Sequence, residues 1–193
     1  MGHFMSAIER LNLISVDDYL AGELSSPIKH EYLGGIVYAM AGRKNSHNRL
    51  ATNITGMLYS RLRGQPCQPF NSDTKVRLRL PAQTRFYYPD VSVICKSNPP
   101  EDTFQDEPVL IVEVISEGTR RADEGEKKDA YLTLSSLGAY ALVEQETHLV
   151  VVFRRTAQGF DREVYRGVDQ VIPLPEIGVE LPLAEMYAGV LNS

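Results

Sequence analysis

Glu113 stands in the middle of Val109-Leu110-Ile111-Val112-Glu113-Val114-Ile115, a run apolar enough for a strand covered on both faces. A carboxylate placed there is costly unless a cation, hydrogen bonds or a proton compensates it. Glu113 therefore calls for a partner. Asp123, Lys127 and Tyr131 follow at four-residue spacing, which lines them along one helical face and can present Lys127 beside Glu113 where the strand hands over to a helix. Upstream, Tyr87-Tyr88-Pro89-Asp90-Val91-Ser92-Val93-Ile94 is a second strand candidate with its own acid. Two acids on neighbouring strands can hold Mg2+ or Mn2+ through oxygen, leaving positions for water and a substrate phosphate. Such an ion acidifies a bound water and polarises a phosphoryl group, and a nearby ammonium orients the nucleophile or offsets charge. Asp90 and Glu113 are the expected metal ligands, Lys127 the cationic helper, and a carbonyl near Val114 a further ligand candidate. Each has a blander reading: Pro-Asp is a common turn dipeptide, Glu113 can pair structurally with Arg85, and Lys127 can be an ordinary helix ion pair with Asp123.

The order PD, then VEVIS, then T-x3-D-x3-K-x3-Y, then an apolar strand ending in Glu144, resembles the Uma-type restriction-endonuclease family of the PD-(D/E)XK nuclease superfamily. HEYLGGIVYAMAG and LPLAEMY are similar to segments near the start and end of that family, so the likeness covers most of the chain. It implies a restriction-endonuclease-like α/β fold, with a mixed sheet flanked by helices, an N-terminal helix and hairpin, and a C-terminal β extension. It also implies catalytic Asp90, Glu113 and Lys127, with Glu31, His47 and Asp123 as supporting groups. The lysine that the wider superfamily carries two residues after the glutamate is here Ile115. The resemblance moves that role onto the following helix, to Lys127, with Lys128 as the substitute.

The activity implied is Mg2+- or Mn2+-dependent hydrolysis of DNA phosphodiesters, by a homodimer if both strands are cut by paired sites. One alternative is a nuclease-derived DNA-binding or scaffold protein that has lost turnover, for which Ile115 argues. Another is a phosphoesterase acting on RNA or nucleotides.

Composition bounds these readings. The 193 residues, 43% apolar and 23% charged, suit one domain spanning 1–193, with 1–14 flexible and the core over about 46–145. Cys67 and Cys95 lack the spacing of a zinc site or a disulfide framework, so a reduced, cytoplasmic protein is expected. No apolar run approaches the roughly 20 residues of a membrane helix. The formal charge of −5 argues against indiscriminate nucleic-acid binding but leaves room for a local basic groove.

The elements that must position these residues follow from periodicity. Ser15 reads as the N-cap of a short helix ended by Gly22 and Pro27, and Gly34-Gly35 as the turn of a hairpin. Leu50, Ile54, Met57, Leu58 and Leu62 predict a long helix from Ser46 to Gly64. Val76, Leu78 and Leu80 alternate with Lys75, Arg77 and Arg79, which predicts a strand with one buried and one basic face. Lys75, Arg77 and Arg79 are thus candidates for touching DNA phosphates, as are Arg120 and Arg121 nearer the acids; the alternative for both sets is ordinary solvated charge. Phe86–Ile94 reads as one strand, Ser97–Glu107 as a polar loop, Val109–Ile115 as the central strand and Ala122–Leu134 as a helix. Strands at Leu137–Val143, His148–Phe153, Glu163–Tyr165 and Gln170–Ile172 and a short helix over Leu181–Tyr187 complete the order.

Overall fold

Residues 13–191 are described by a computed structural model. Helix α1 (Val16–Glu23) opens where the Ser15 hydroxyl accepts from the Asp18 N–H at 3.1 Å. Strands β1 (His30–Leu33) and β2 (Ile36–Ala39) form the hairpin, with Gly34 and Gly35 at φ 59° and 104°, values that side chains disfavour and a tight turn requires. Helix α2 (Asn45–Arg61) is followed by β3 (Gln68–Asn71), β4 (Lys75–Leu80), β5 (Gln83–Tyr87), β6 (Val91–Ile94), the short β7 (Phe104–Gln105) and the central β8 (Pro108–Ile115). Helices α3 (Arg120–Glu124) and α4 (Glu126–Tyr131) lead to β9 (Ala139–Glu144), β10 (Leu149–Thr156) and β11 (Gly159–Arg166). The chain finishes with β12 (Val171–Leu174), β13 (Val179–Pro182) and α5 (Leu183–Met186).

Six strands form a mixed sheet in the order β11-β10-β9-β8-β6-β3, in which only β8 and β9 run parallel. Five more form a second sheet, β2-β1-β5-β4-β7, and β12 and β13 form a separate hairpin. The period-2 alternation of β8 explains how the layers meet. Leu110, Val112 and Val114 pack with Leu50, Ile54 and Leu58 of α2 and with the C-terminal Ile172, Leu181 and Met186. Ile111 and Ile115 point the other way, into a cluster with Ala130 and Tyr131 of α4, Tyr140 of β9, and Val76, Leu78 and Tyr87 of the second sheet. Glu113 shares the parity of Ile111 and Ile115, so the backbone itself directs it toward α4.

Four expectations change. Phe86–Ile94 is two strands, because Tyr88-Pro89-Asp90 breaks the ladder and sends β5 and β6 into different sheets; proline has no N–H to donate there. The helix drawn over Ala122–Leu134 begins at Arg120 and ends at Tyr131. It is broken at Gly125 (φ −114°, ψ −104°), where a side chain's Cβ would stand 2.7 Å from the Arg121 carbonyl. The polar 97–107 segment contributes β7, which pairs with β4. Cys67 and Cys95, expected reduced, form a disulfide between the ends of β3 and β6, where the antiparallel register continued one step places them opposite each other. The flexibility expected for residues 1–14 falls mostly on positions outside the described ones, and Ile14 donates its N–H to the Gly35 carbonyl at 2.9 Å.

Candidate functional site

Asp90 stands one residue before β6 and Glu113 in the neighbouring β8, and each carboxylate accepts from backbone beside the other. Asp90 Oδ2 accepts from the Val114 N–H at 2.7 Å, and Glu113 Oε2 accepts from the Asp90 N–H at 3.3 Å. These bonds fix both acids, although Asp90 lies on the connection between the two sheets. The part played by Val114 is that of a donor to Asp90, a role that its sequence position did not suggest. His47, buried in the first turn of α2, brings Nε2 to 3.1 Å from the same Asp90 oxygen. Glu113 Oε1 is buried and has no hydrogen-bond partner.

Lys127 reaches the site from α4, only 7% exposed. Its Nζ lies 2.6 Å from Glu31 Oε1 of the hairpin, 3.8 Å from Asp123 Oδ1 and 5.3 Å from the centre of the Tyr87 ring. Burial disfavours its charge, yet Glu113, Glu31 and Asp123 together outweigh that and hold the ammonium above the ordinary lysine value. Burial likewise pushes Glu113 well above the ordinary carboxylate range; Lys127 pulls it down, and Asp90, Asp123 and Glu31 push it further up. Asp123 is raised for the same leading reason, burial, with Lys127 opposing. Three acids thus act on one lysine, an excess of negative charge that an added cation would relieve. Arg85, the structural partner considered for Glu113, pairs instead with Glu126 at 2.9 Å.

Among the described residues no group of three or more His, Cys, Asp or Glu side chains is gathered to hold an ion. Asp90 and Glu113 are two carboxylates that backbone N–H groups hold side by side, with Glu113 Oε1 unclaimed. That donor set fits Mg2+ or Mn2+, hard ions commonly held by one or two carboxylates while keeping several waters.

The family model Uma2, described as "Putative restriction endonuclease", matches residues 16–184. The chain belongs to the Uma2 family. It is 29% identical to one uncharacterized protein of Synechocystis sp. over 179 residues, 92% of this chain and 93% of the relative. A second uncharacterized Synechocystis protein is 28% identical over 154 residues, covering 78% of this chain and 86% of that one. The crystal structure of a "putative nuclease belonging to DUF820" from Anabaena variabilis superposes with a TM-score of 0.72 at 17% identity, over 92% of this chain and 99% of that one. That likeness carries the restriction-endonuclease-like fold.

In this Uma2 chain the basic stripe does not form a free face. The side of β4 that bears Lys75 and Arg77 is covered by α1 and by the 97–107 segment. Lys75 is 5% exposed, and Arg77 stacks on Phe104 and makes a two-pronged pair with Asp106 at 2.7 Å for each prong. Arg79 stays in solvent, 3.5 Å from Asp106. Arg120 is engaged by both oxygens of Glu144 at 2.7 Å and by Glu124 at 2.8 Å, whereas Arg121 is exposed. Lys128 lies outside the cluster, 3.5 Å from Asp129 and over the Phe153 ring.

Sequence reasoning missed the aromatic floor: Tyr87, Tyr131 and Tyr140 form a row of mutually tilted rings near the acids, with centroids 5.5 and 5.6 Å apart. The Tyr140 hydroxyl donates to the Asp123 carbonyl at 2.9 Å. Tyr131 at four residues past Lys127 was the available signal for that floor. Tyr140 lay within an apolar strand and gave none. Among the described residues no helix is long and apolar enough to cross a membrane.

Proposed function

We propose that this Uma2 protein is a metal-dependent endonuclease that hydrolyses phosphodiester bonds in DNA, with Asp90 and Glu113 as ligands and Lys127 as the cationic group. The observation that carries the reading is the unpartnered, buried Glu113 Oε1, set beside an Asp90 that is held by the Val114 N–H and faced by His47. Membership of a family described as restriction endonucleases supplies the reaction class. A bound Mg2+ or Mn2+ would acidify a water and polarise the phosphoryl oxygen. Asp90 and Glu113 would hold their oxygens in place through the backbone bonds already formed, so little reorganisation is needed on binding. Lys127, kept charged by its three carboxylate neighbours, would offset the negative charge that builds on the phosphate in the transition state. His47 approaches Asp90 from the α2 side. Glu31 fixes Lys127 from the hairpin.

The test is nicking of supercoiled plasmid in Mg2+ or Mn2+, with EDTA and Glu113→Gln as parallel controls against a contaminating nuclease. Nicking that both controls remove supports a metal nuclease. Wild type and Glu113→Gln behaving alike would overturn the enzyme reading and favour a nuclease-derived binding protein.

A further inference from the structure

A cleft of about 720 Å³ lies away from Asp90 and Glu113. It opens between the end of α1, the 26–29 segment, the β3–β4 turn and the 97–105 segment. Lys75 and Tyr88 line it, and Tyr88 is two residues before Asp90 on the connection between the two sheets. We propose that this cleft binds a phosphoryl group attached to an organic body with apolar faces, as the base of a nucleotide has, with Lys75 as the anion contact.

Lys75 carries the argument. It is buried, its Nζ makes one hydrogen bond, to the Tyr88 hydroxyl at 3.3 Å, and no carboxylate of the described residues stands within 4 Å of it. The Tyr88 hydroxyl is itself committed, donating to Glu23 Oε2 at 2.8 Å. A desolvated ammonium with two unclaimed N–H donors and no direct counter-ion is expensive to maintain by packing alone. An anion entering the cleft would complete it. The acids lining the same cleft are already matched: Glu23 by His30 at 2.8 Å and by Tyr88, Asp73 by Lys29 at 2.5 Å, and Asp102 by Asn98 at 2.9 Å.

The rest of the wall suits an organic body. Leu24 and Ile28 are 75% and 52% exposed at the rim, and the half-buried Phe70 also lines the space. Apolar walls with a few convergent polar groups are the usual make-up of a small-ligand site, and lysine serves as a point-charge phosphate binder. The choice of a phosphoryl ligand rests on the nuclease reading; the site itself rests on Lys75 and the cleft. Two sources share this chemistry, a free nucleotide and a nucleotide within a nucleic-acid strand.

The experiment is a phosphorus NMR titration in EDTA, where no turnover occurs, using inorganic phosphate, deoxycytidine 5′-monophosphate and a short single-stranded oligodeoxynucleotide. Lys75→Met is expected to bind about tenfold more weakly or worse, the scale of one lost charged hydrogen bond. Ser97→Glu, an exposed rim change that places a carboxylate in the ligand's path without touching Lys75, is expected to weaken binding too and stands in should Lys75→Met fail to fold. Binding of the mononucleotide assigns a free nucleotide, and binding of the oligonucleotide alone assigns the strand. The proposal falls if none of the three probes binds wild type, or if folded Lys75→Met and Ser97→Glu bind as wild type does. Phosphoryl binding without plasmid nicking would sink the nuclease reading and leave this site standing.

Discussion

Lys127 Nζ lies 2.6 Å from Glu31 Oε1, an ion pair joining a helix that follows the central strand to a hairpin near the start of the chain. The pair makes the hairpin part of the site, since without it the one carboxylate within 4 Å of the ammonium among the described residues would be Asp123 at 3.8 Å. It also decides what Lys127 can do: an ammonium held above the ordinary lysine value stays charged at neutral pH and acts as a fixed cation rather than a base. Lys127→Met is expected to slow plasmid nicking by on the order of 10²-fold, the usual cost of losing one transition-state charge contact. Lys128→Met, whose side chain faces Asp129 and Phe153, should stay within about threefold of wild type, less than the weakest charged contact is worth. Equal losses in initial rate from the two variants would refute this division of labour.

Glu113 yields a stability prediction with a definite sign. Its folded-state pKa lies above the unfolded one because burial penalises the charge. The associated stability is therefore complete below the unfolded value, near 4.5, and is lost as pH rises through the folded value. Glu113→Gln cannot ionise, so in EDTA its melting temperature should exceed that of wild type at pH 8 and converge on it toward pH 4. Adding Mn2+ should raise the wild type and leave the variant unmoved. Scanning calorimetry across that range would expose an error if the gap stayed constant.

Arg154 governs the opposite limb. It forks onto Glu163 at 2.8 and 3.0 Å, reaches Glu176, and donates to the Pro173 carbonyl at 2.8 Å, joining β10 and β11 to the C-terminal hairpin. The hydrogen bond from Arg154 holds Glu163 below the ordinary carboxylate range. That stability is present above the unfolded value and disappears as pH falls through the lower folded one. Arg154→Met should cost about 1–3 kcal/mol at pH 7, discounted for partial exposure, and less at pH 3. Urea melts at the two pH values measure it, and an equal cost at both would count against the pair.

The sequence made one half of the site legible and obscured the other for physical reasons. Glu113 was readable because a charge in an apolar strand is an anomaly, and the alternation of β8 already determined which face it shares. Asp90 was readable only as part of a longer strand, since nothing local says that Tyr88-Pro89-Asp90 divides two sheets. The basic stripe of β4 misled because alternation reports two faces without reporting what covers each. The covering layer, α1 with Phe104 and Asp106, is distant in sequence. Gly125 carried a signal for the break between α3 and α4 that helical periodicity overrode.

The Cys67–Cys95 bond yields a last prediction. Closing a loop across 28 residues should stabilise the fold by roughly 3–4 kcal/mol through the unfolded state. Cys67→Ser with Cys95→Ser, or reduction of the wild type, should lower the urea midpoint accordingly, and an unchanged midpoint would show the bond to be thermodynamically idle.

The same bond changes what a cut in the backbone does. Both β4 and β5, with the exposed Pro81-Ala82 turn between them, lie on the covalent ring that the two cysteines close. A protease that severs that turn opens the ring without separating the pieces. The nicked protein would travel as one band until a reductant is added and as two afterwards, so until then Glu31 and His47 on one piece would stay covalently joined to Asp90, Glu113 and Lys127 on the other although the main chain no longer runs unbroken from end to end.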